Sequence, residues 1–517
     1  MKNSNSEWKI ILVSILILIF SLSFRFDFNN YPRGIDTYDL SALSNNVLEK
    51  EYVVWNIDIP TALGFTSFSY PSGGIIFLAE ISSITGMNIS DVIFTWNLFL
   101  ITMCGLLIFV ITKEIFHNNM VSIFSTLIYL NTRFFITYST FFTARNLLHV
   151  FFLLTLFLLL KKLDLKKILL IGIIIGISFL THRATILIGI FIITFILSRL
   201  LYKIYKNNLS HNILLVILSI SIFLLSIYFF GHTNFGSETT IIPFHTGFSY
   251  IDDILSILFS ISMHFGILLI IFPLGYFLLI RKKQKNKKDF FILISATLAS
   301  GFIVDTVYFF YIFLPLITII IAYFFEYLFE SNIAHIKKIA SFIVIILLIL
   351  PNYITISKPQ SDSTFVRDQT IQLKSFLENQ QIQKSVICNY HVVYCSQILT
   401  LGNNITALTY TSGKTLIEEI KIKENKIFVG GLRTKIIVED DVLGAALFSD
   451  SYTLAIINWN NKGPILERLI EFTNLGYIID SNNPESIKNT PKLQQKFGNI
   501  NQIYDNGLQQ VKVIKHD

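Results

Sequence analysis

Runs of about 17–25 apolar residues recur along the first 357 residues, and this feature constrains the fold more than any other. Each run is long enough to cross a bilayer as a helix. Only 15% of the 517 residues are charged, against about 25% in soluble domains. These features exclude a soluble enzyme, a disordered chain and a coiled coil. The sequence therefore predicts a polytopic α-helical membrane protein.

The apolar runs divide the chain into spans and two large stretches outside the membrane. The spans define a membrane domain, 1–357, with a long first loop at 25–90, and the remainder, 358–517, is a separate domain. We predict eleven spans, at 9–24, 91–112, 119–136, 146–160, 168–181, 184–200, 212–230, 254–280, 289–304, 306–325 and 339–356.

The distribution of Lys and Arg predicts the orientation. Basic residues concentrate in alternate loops, as positive-inside sorting produces, and this places the amino terminus inside and residues 358–517 outside. The first span has no small-residue cleavage site after it, which favours a retained span over a signal peptide. The Lys-rich run 281–288 is then a cytoplasmic anchor, and no nucleic-acid partner is expected. We expect a multi-pass protein of the plasma membrane.

The outer domain, 358–517, alternates strand and helix patterns. Strands near 384–388, 405–409, 426–430, 453–458 and 476–480, with a helical pattern at 463–474, predict a small extracytoplasmic α/β domain. Cys388 and Cys395 lie close together in sequence and are suited to a disulfide. An alternative is that His391 joins them as metal ligands, although a structural site needs four.

Asp36 and Asp39, early in the first outer loop, are the candidate catalytic carboxylates. A carboxylate at the outer membrane surface can meet both a lipid-borne substrate and a water-exposed acceptor, which suits a general base. Hard oxygen ligands at Asp36 also suit Mg²⁺ or Mn²⁺. The alternative is that the pair, three residues apart at a helix start, only caps that helix.

Further charged residues on the outer side are candidates for substrate binding. Glu80 lies in an apolar stretch, where an acid needs a partner or a role, or else lies on a helix face near the interface. Arginine suits bidentate contacts to a lipid phosphate, but it also extends to ordinary headgroups. His149 and the other histidines near this side form no zinc-binding pattern. The basic candidates are Arg133, Arg145, His182 and Arg183.

Five short motifs stand out in the sequence. They are Arg33-Gly34-Ile35-Asp36-Thr37-Tyr38-Asp39, Tyr70-Pro71-Ser72-Gly73-Gly74, Thr181-His182-Arg183, Phe313-Leu314-Pro315-Leu316 and Ile503-Tyr504-Asp505-Asn506-Gly507. Together they resemble the GT-C type of polyprenyl-phosphate-sugar-dependent membrane glycosyltransferases, which include protein O-mannosyltransferases and oligosaccharyltransferases. The resemblance implies that Asp36 is the catalytic or metal-binding carboxylate and Asp39 its helper. It also implies an inverting transfer in which arginines stabilise the leaving lipid phosphate.

The sequence leaves three functions open. The leading one is a glycosyltransferase that moves a sugar from a polyprenyl-phosphate donor to a lipid, glycan or protein at the outer face. A transporter or flippase for a lipid-linked sugar is the alternative, and it needs the arginines without a carboxylate base. A membrane anchor for the outer domain is the third, but eleven spans exceed what one domain needs. Because charges are scarce inside the spans, the sequence favours the enzyme.

Overall fold

The computed structural model describes residues 34–51, 73–206, 268–282, 284–301, 306–330 and 368–379, positions 15, 19, 221 and 265, and strands between 386 and 514. The predicted spans 9–24, 212–230 and 339–356 lie outside the described residues, apart from those single positions. The chain forms two compact units. The helical unit comprises Met1–Phe28, Trp96–Thr140 and Ala144–Pro359, and the sheet unit comprises Asn29–Thr95, Phe141–Thr143 and Gln360–Asp517.

Most described helices of the membrane half overlap predicted spans, whereas two others lie in the predicted first outer loop. By length and composition, three of the described helices can cross a membrane, or four if a bent pair counts as one span. The helices are α1 (Ile35–Lys50), α2 (Gly73–Thr85), α3 (Ile89–Phe116), α4 (Asn119–Leu130), α5 (Arg133–Ser139), α6 (Ala144–Leu160), α7 (Leu165–Thr181), α8 (Ile186–Lys206), α9 (Leu268–Arg281), α10 (Lys287–Gly301), α11 (Thr306–Glu330) and α12 (Asp368–Asn379).

The predicted span at 119–136 is broken, because two helices share this segment. Helix α4 ends at Leu130, α5 begins at Arg133, and their axes differ by 62°. Thr132 is the N-cap of α5, and its hydroxyl accepts a hydrogen bond from the backbone N–H of Phe135. A Thr at this position satisfies a helix-end donor and so starts a new helix. Counting apolar residues alone missed this signal.

Ion pairs join three helix ends of the helical unit. Glu114, near the end of α3, pairs with Lys161, which directly follows α6. It also accepts a hydrogen bond of 2.7 Å from Lys288 at the start of α10. The C-terminal ends of α3 and α6 therefore meet the N-terminal end of α10, as an antiparallel helix order requires. All three ends carry basic loops that the sequence places on the inner side.

Helices α9 and α11 approach each other very closely at Gly275. A Cβ atom on this residue would lie 2.2 Å from the backbone carbonyl oxygen of Ile320. Only glycine permits this distance, because any side chain would overlap the backbone of α11. The middle of α11, including Leu316, Ile317 and Ile320, is fully buried. This helix therefore forms the centre of the helical unit.

In the sheet unit, helices α1 and α2 pack through small and apolar side chains. Thr37, Ser41 and Ser44 form a fully buried stripe on α1 with helical spacing. The Ser44 hydroxyl lies 3.1 Å from the carbonyl oxygen of Ile75 on α2. The helix is therefore held by hydrogen bonds as well as by the burial of apolar groups.

The described part of 360–517 contains a five-stranded mixed sheet with the order β2-β1-β7-β9-β8. Strand β1 pairs in parallel with β2 and β7, and β9 pairs antiparallel with β7 and β8. Antiparallel pairs also join β3 to β6 and β4 to β5. The strands are β1 (Val386–Asn389), β2 (Ala407–Leu408), β3 (Tyr410–Thr411), β4 (Ile420–Lys423), β5 (Lys426–Val429), β6 (Gly444–Ala445), β7 (Tyr477–Ser481), β8 (Ile500–Asp505) and β9 (Gln509–Ile514).

Four of the five predicted strands in this region overlap strands β1, β2, β5 and β7. The predicted strand 453–458 and helix 463–474 lie outside the described residues. Cys388 lies in β1, where only the backbone is described, and Cys395 lies outside the described part. Their disulfide and the extracytoplasmic α/β domain as a whole stay predictions.

Candidate functional site

A small pocket lies within the helical unit, where three helices begin. It is formed by the first turns of α6, the first turn of α8 with the 3-10 turn Arg183–Thr185 before it, and the second turn of α11. Its polar side chains are Arg145, His149 and Tyr311, and the other lining residues are Leu148, Phe152, Ala184, Leu187, Ile188 and Ile312. By the predicted topology, this is the outer end of the bundle.

Helix α6 supplies the cation of the pocket. Arg145 is its second residue and is half-buried, while His149 follows one turn later and is buried. Residues four apart on a helix lie on the same face, so both side chains point toward the pocket with Leu148 and Phe152. The face therefore combines one guanidinium group with an imidazole and apolar groups.

An aromatic cluster surrounds His149 on its far side. The Tyr129 hydroxyl is hydrogen-bonded to Nε2 of His149, and the two rings are nearly parallel, at 3°. Tyr311 meets the imidazole in an edge-on arrangement, with ring centroids 5.6 Å apart. Phe134 and Tyr138 pack edge-on against Tyr311 at 5.2 and 5.1 Å. The cluster brings α4, α5, α6 and α11 together behind the pocket.

The turn at 181–185 contributes its backbone shape to the pocket. His182 is 1% exposed and is the N-cap of the 3-10 turn, where its Nδ1 accepts a hydrogen bond of 2.9 Å from the backbone N–H of Ala184. This contact shapes the turn that carries Ala184 into the pocket wall. Arg183 is the first residue of the turn, and the position of its side chain lies outside the description.

Two other predicted binding residues do not line this pocket. Arg133 is the first residue of α5 and is half-buried. Glu80 lies on α2 in the sheet unit, and its side chain is exposed. The position of Glu80 fits the alternative of a helix-face acid. Among the predicted basic residues whose side chains are described, Arg145 lines the pocket, and the turn after His182 adds Ala184 to its wall.

The candidate catalytic residues Asp36 and Asp39 lie on α1 in the sheet unit, where only their backbone is described. The helix begins at Ile35, and its N-cap is Gly34 with φ of 89°. Asp36 is therefore not the N-cap residue that the capping alternative required. A Cβ at Gly34 would lie 3.0 Å from the Phe141 ring, so both the backbone angle and the packing require glycine here.

Thr37, the neighbour of Asp36, fixes the start of α1. Its buried hydroxyl accepts a hydrogen bond of 2.9 Å from the backbone N–H of Phe142 and donates one of 3.1 Å to the carbonyl oxygen of the same residue. Because both backbone groups of Phe142 depend on this one side chain, the contact holds the first turn of α1 firmly. The backbone at Asp36 is therefore well positioned.

His149 and Tyr311 were not predicted as pocket residues from the sequence. His149 fits no zinc-binding motif, so from the sequence it was interpreted only as an ordinary polar residue. Tyr311 was one of several aromatic residues in its segment. One available signal was the spacing of Arg145, His149 and Phe152, which puts all three on one helix face. The approach of Tyr311, 162 positions after His149, depends on tertiary packing and has no local signal.

Comparisons with known proteins agree with this architecture. The family model for dolichyl-phosphate-mannose-protein mannosyltransferases matches residues 71–229. Among curated protein sequences, none matches the chain significantly.

Solved structures of the oligosaccharyltransferase from Archaeoglobus fulgidus are similar in fold. The apo form has a TM-score of 0.59 at 12% identity and covers 93% of this chain and 70% of that chain. The same organism's AglB in complex with an inhibitory peptide and a dolichol-phosphate has a TM-score of 0.58 at 12% identity and covers 98% and 74%. The complex with Zn and sulfate has a TM-score of 0.56 at 13% identity and covers 91% and 68%.

The comparisons thus combine a family match within the membrane half with a fold likeness over nearly the whole chain. The chain therefore resembles the mannosyltransferase family over residues 71–229 and is similar in fold to the oligosaccharyltransferase.

Proposed function

We propose that the protein is a glycosyltransferase that moves a sugar from a polyprenyl-phosphate donor onto a lipid, glycan or protein acceptor at the outer face of the plasma membrane, with inversion at the sugar carbon. The observation that carries the proposal is the pocket in which Arg145 faces apolar walls. The AglB structure bound to a dolichol-phosphate supports a lipid of this class.

The pocket suits the phosphate end of an isoprenoid lipid. Arg145 can form paired hydrogen bonds to phosphate oxygens, and such charge-assisted bonds are stronger than neutral ones. The amino-terminal ends of α6, α8 and α11 meet around the pocket, and the positive ends of their dipoles favour an anion. Leu148, Leu187 and Ile188 offer apolar surface to the first isoprene units. Charge and apolar surface therefore stand side by side, as this ligand requires.

Asp36 is the proposed general base. It removes the proton from the acceptor hydroxyl as the oxygen attacks the sugar carbon, and the bond from that carbon to the phosphate oxygen breaks. Arg145 stabilises the negative charge that develops on the leaving phosphate. Asp39 lies three residues after Asp36 on the same helix and has a helper role. The Gly34 N-cap and the Thr37 contact support this proposal, because they fix the backbone that carries Asp36.

Asp36 is also the proposed ligand of a divalent cation, Mg²⁺ or Mn²⁺. In the described parts of the chain, no group of three or more His, Cys, Asp or Glu side chains could hold a metal ion. Asp36 and a lipid phosphate would supply oxygen ligands of the kind that these ions prefer. When bound, such an ion would add positive charge at the leaving phosphate.

Binding of the lipid phosphate tests the central part of the proposal. We expect Arg145→Gln to weaken binding of a polyprenyl phosphate to the purified protein about tenfold or more, because a charge-assisted hydrogen bond is lost. Arg199→Gln is the matched control, since Arg199 is exposed far along α8 and stacks on Phe195 at 4.5 Å. Equal affinity in wild type and Arg145→Gln would contradict the assignment of this pocket.

A further inference from the structure

A group of lysines lies at the end of the helical unit opposite the pocket. Helix α6 carries Arg145 in its first turn, whereas Lys161 directly follows its last residue. The Glu114 carboxylate lies between the ammonium groups of Lys161 and Lys288 and pairs with both. Lys288 also donates a hydrogen bond of 2.7 Å to the backbone carbonyl oxygen of Glu114. The two lysines are therefore held close together, although their charges repel each other.

Three further lysines adjoin this ion-paired group in the chain. Lys113, Lys162 and Lys287 are exposed, and within the described part of the chain none of them forms an ion pair. One carboxylate therefore faces five ammonium groups, which leaves four positive charges unmatched. Such a concentration of charge attracts a negatively charged ligand. We call the five residues the lysine cluster, namely Lys113, Lys161, Lys162, Lys287 and Lys288.

The lysine cluster borders exposed apolar surface on two helices. Leu106, Val110 and Lys113 follow one another at helical spacing on one face of α3, and all three are exposed. At the start of α7, Leu165 is 72% exposed and Ile168 is 54% exposed. Cations at the helix ends with apolar side chains along the helices match the order of headgroup and acyl chains in a phospholipid. A soluble anion would leave the apolar part of this surface unused.

We infer that the lysine cluster binds the headgroup of an anionic phospholipid, whose acyl chains lie along Leu106 and Val110 of α3. An ammonium group has three donors, so Lys161 and Lys288 can each bind a phosphate oxygen while they stay paired with Glu114. By the predicted topology, this lipid belongs to the inner leaflet, where anionic lipids attract basic segments. The site lies apart from the pocket and does not depend on the proposed sugar transfer.

Removing the exposed lysines tests the inference while the ion pairs of Glu114 stay intact. The control variant removes the same number of charges at exposed positions of α8 and α9, outside the lysine cluster. Dissociation constants of phosphatidylglycerol, which is anionic, and phosphatidylcholine, which is zwitterionic, are measured on the full-length protein by native mass spectrometry. The two lipids have the same acyl chains. The cluster variant combines Lys113→Gln, Lys162→Gln and Lys287→Gln, and the control variant combines Arg199→Gln, Lys203→Gln and Arg281→Gln.

We expect wild type to bind phosphatidylglycerol about tenfold or more tightly than phosphatidylcholine, because each lysine near an anionic headgroup contributes about fivefold. The cluster variant should lose most of this preference and bind phosphatidylcholine like wild type. The control variant should keep the preference within about twofold. Added salt should weaken binding of phosphatidylglycerol more than that of phosphatidylcholine, since salt screens the attraction between charges.

Several outcomes would overturn the inference. Equal affinities of wild type for the two lipids would show that the protein does not select an anionic headgroup. A preference that the cluster variant retains would place the headgroup elsewhere. An equal loss of preference in the cluster and control variants would reduce the effect to the general positive charge of this end. Weaker binding of both lipids by the cluster variant would indicate altered packing instead. Because no sugar donor or acceptor enters this assay, its result is independent of the proposed transfer.

Discussion

Replacing Thr37 with Val should destabilise the protein strongly, although the two side chains have a similar size and shape. The Thr37 hydroxyl satisfies both the N–H and the carbonyl group of Phe142, at 2.9 and 3.1 Å, and Thr37 and Phe142 are fully buried. Valine leaves both backbone groups unpaired. Because each buried unsatisfied group costs about 1–3 kcal/mol, the expected loss for the two groups is about 2–6 kcal/mol.

The assay is thermal unfolding of the purified protein in detergent, followed through its tryptophan fluorescence. A loss of this size should lower Tm by at least about 2 °C, taking about 1 °C for each kcal/mol in a chain of this length. Thr37→Ser keeps the hydroxyl and should retain most of the stability. Ser41→Ala is a second control, since Ser41 is buried one turn further along α1 and its hydroxyl has no partner among the described residues. A Tm for Thr37→Val equal to that of wild type would refute the reasoning, because the expected lower limit is a fall of about 2 °C.

Two further predictions concern the helical unit. Gly275→Ala should lower Tm, because its Cβ would lie 2.2 Å from the carbonyl oxygen of Ile320, whereas Gly176→Ala, with no atom within 4 Å, should not. The hydrogen bonds from Lys167 hold the pKa of Asp164 below its ordinary value of 3.8. The charged carboxylate of Asp164 therefore stabilises the fold above pH 3.8, and this stabilisation is lost as the pH falls through the lowered pKa. Asp164→Asn should therefore have a slightly lower Tm than wild type at neutral pH, and the difference should vanish in strong acid; equal Tm values at neutral pH would contradict this.

The sequence predicted the positions of the long helices but not their interruption. Helices α3 and α11 were predictable because their apolar runs are long and carry few charges inside. The break between α4 and α5 was missed because Asn131, Thr132 and Arg133 interrupt a mostly apolar run by only three residues. Their capping function was nevertheless readable, since Thr is a common N-cap and precedes a new apolar run.

The candidate site was predictable only in part, for a physical reason. Arg145 was found because cations are rare on the predicted outer side, so each one was informative. The pairing of His149 with Tyr129 and the approach of Tyr311 depend on how α4, α6 and α11 pack. No local pattern encodes such contacts between distant parts of the chain. Gly34 was quoted within a motif, but its positive φ and its contact with Phe141 became apparent only in the structure.

Transfer of a labelled sugar tests the central claim most directly. Purified wild type and Asp36→Asn are incubated with a panel of polyprenyl-phosphate sugars, with and without EDTA, and label in acceptor or water is counted. We expect transfer by wild type and its loss in an Asp36→Asn protein that folds normally, while inhibition by EDTA would establish a metal requirement. Donors that stay intact with wild type, or equal transfer by Asp36→Asn, would contradict the assignment of Asp36 as the catalytic carboxylate.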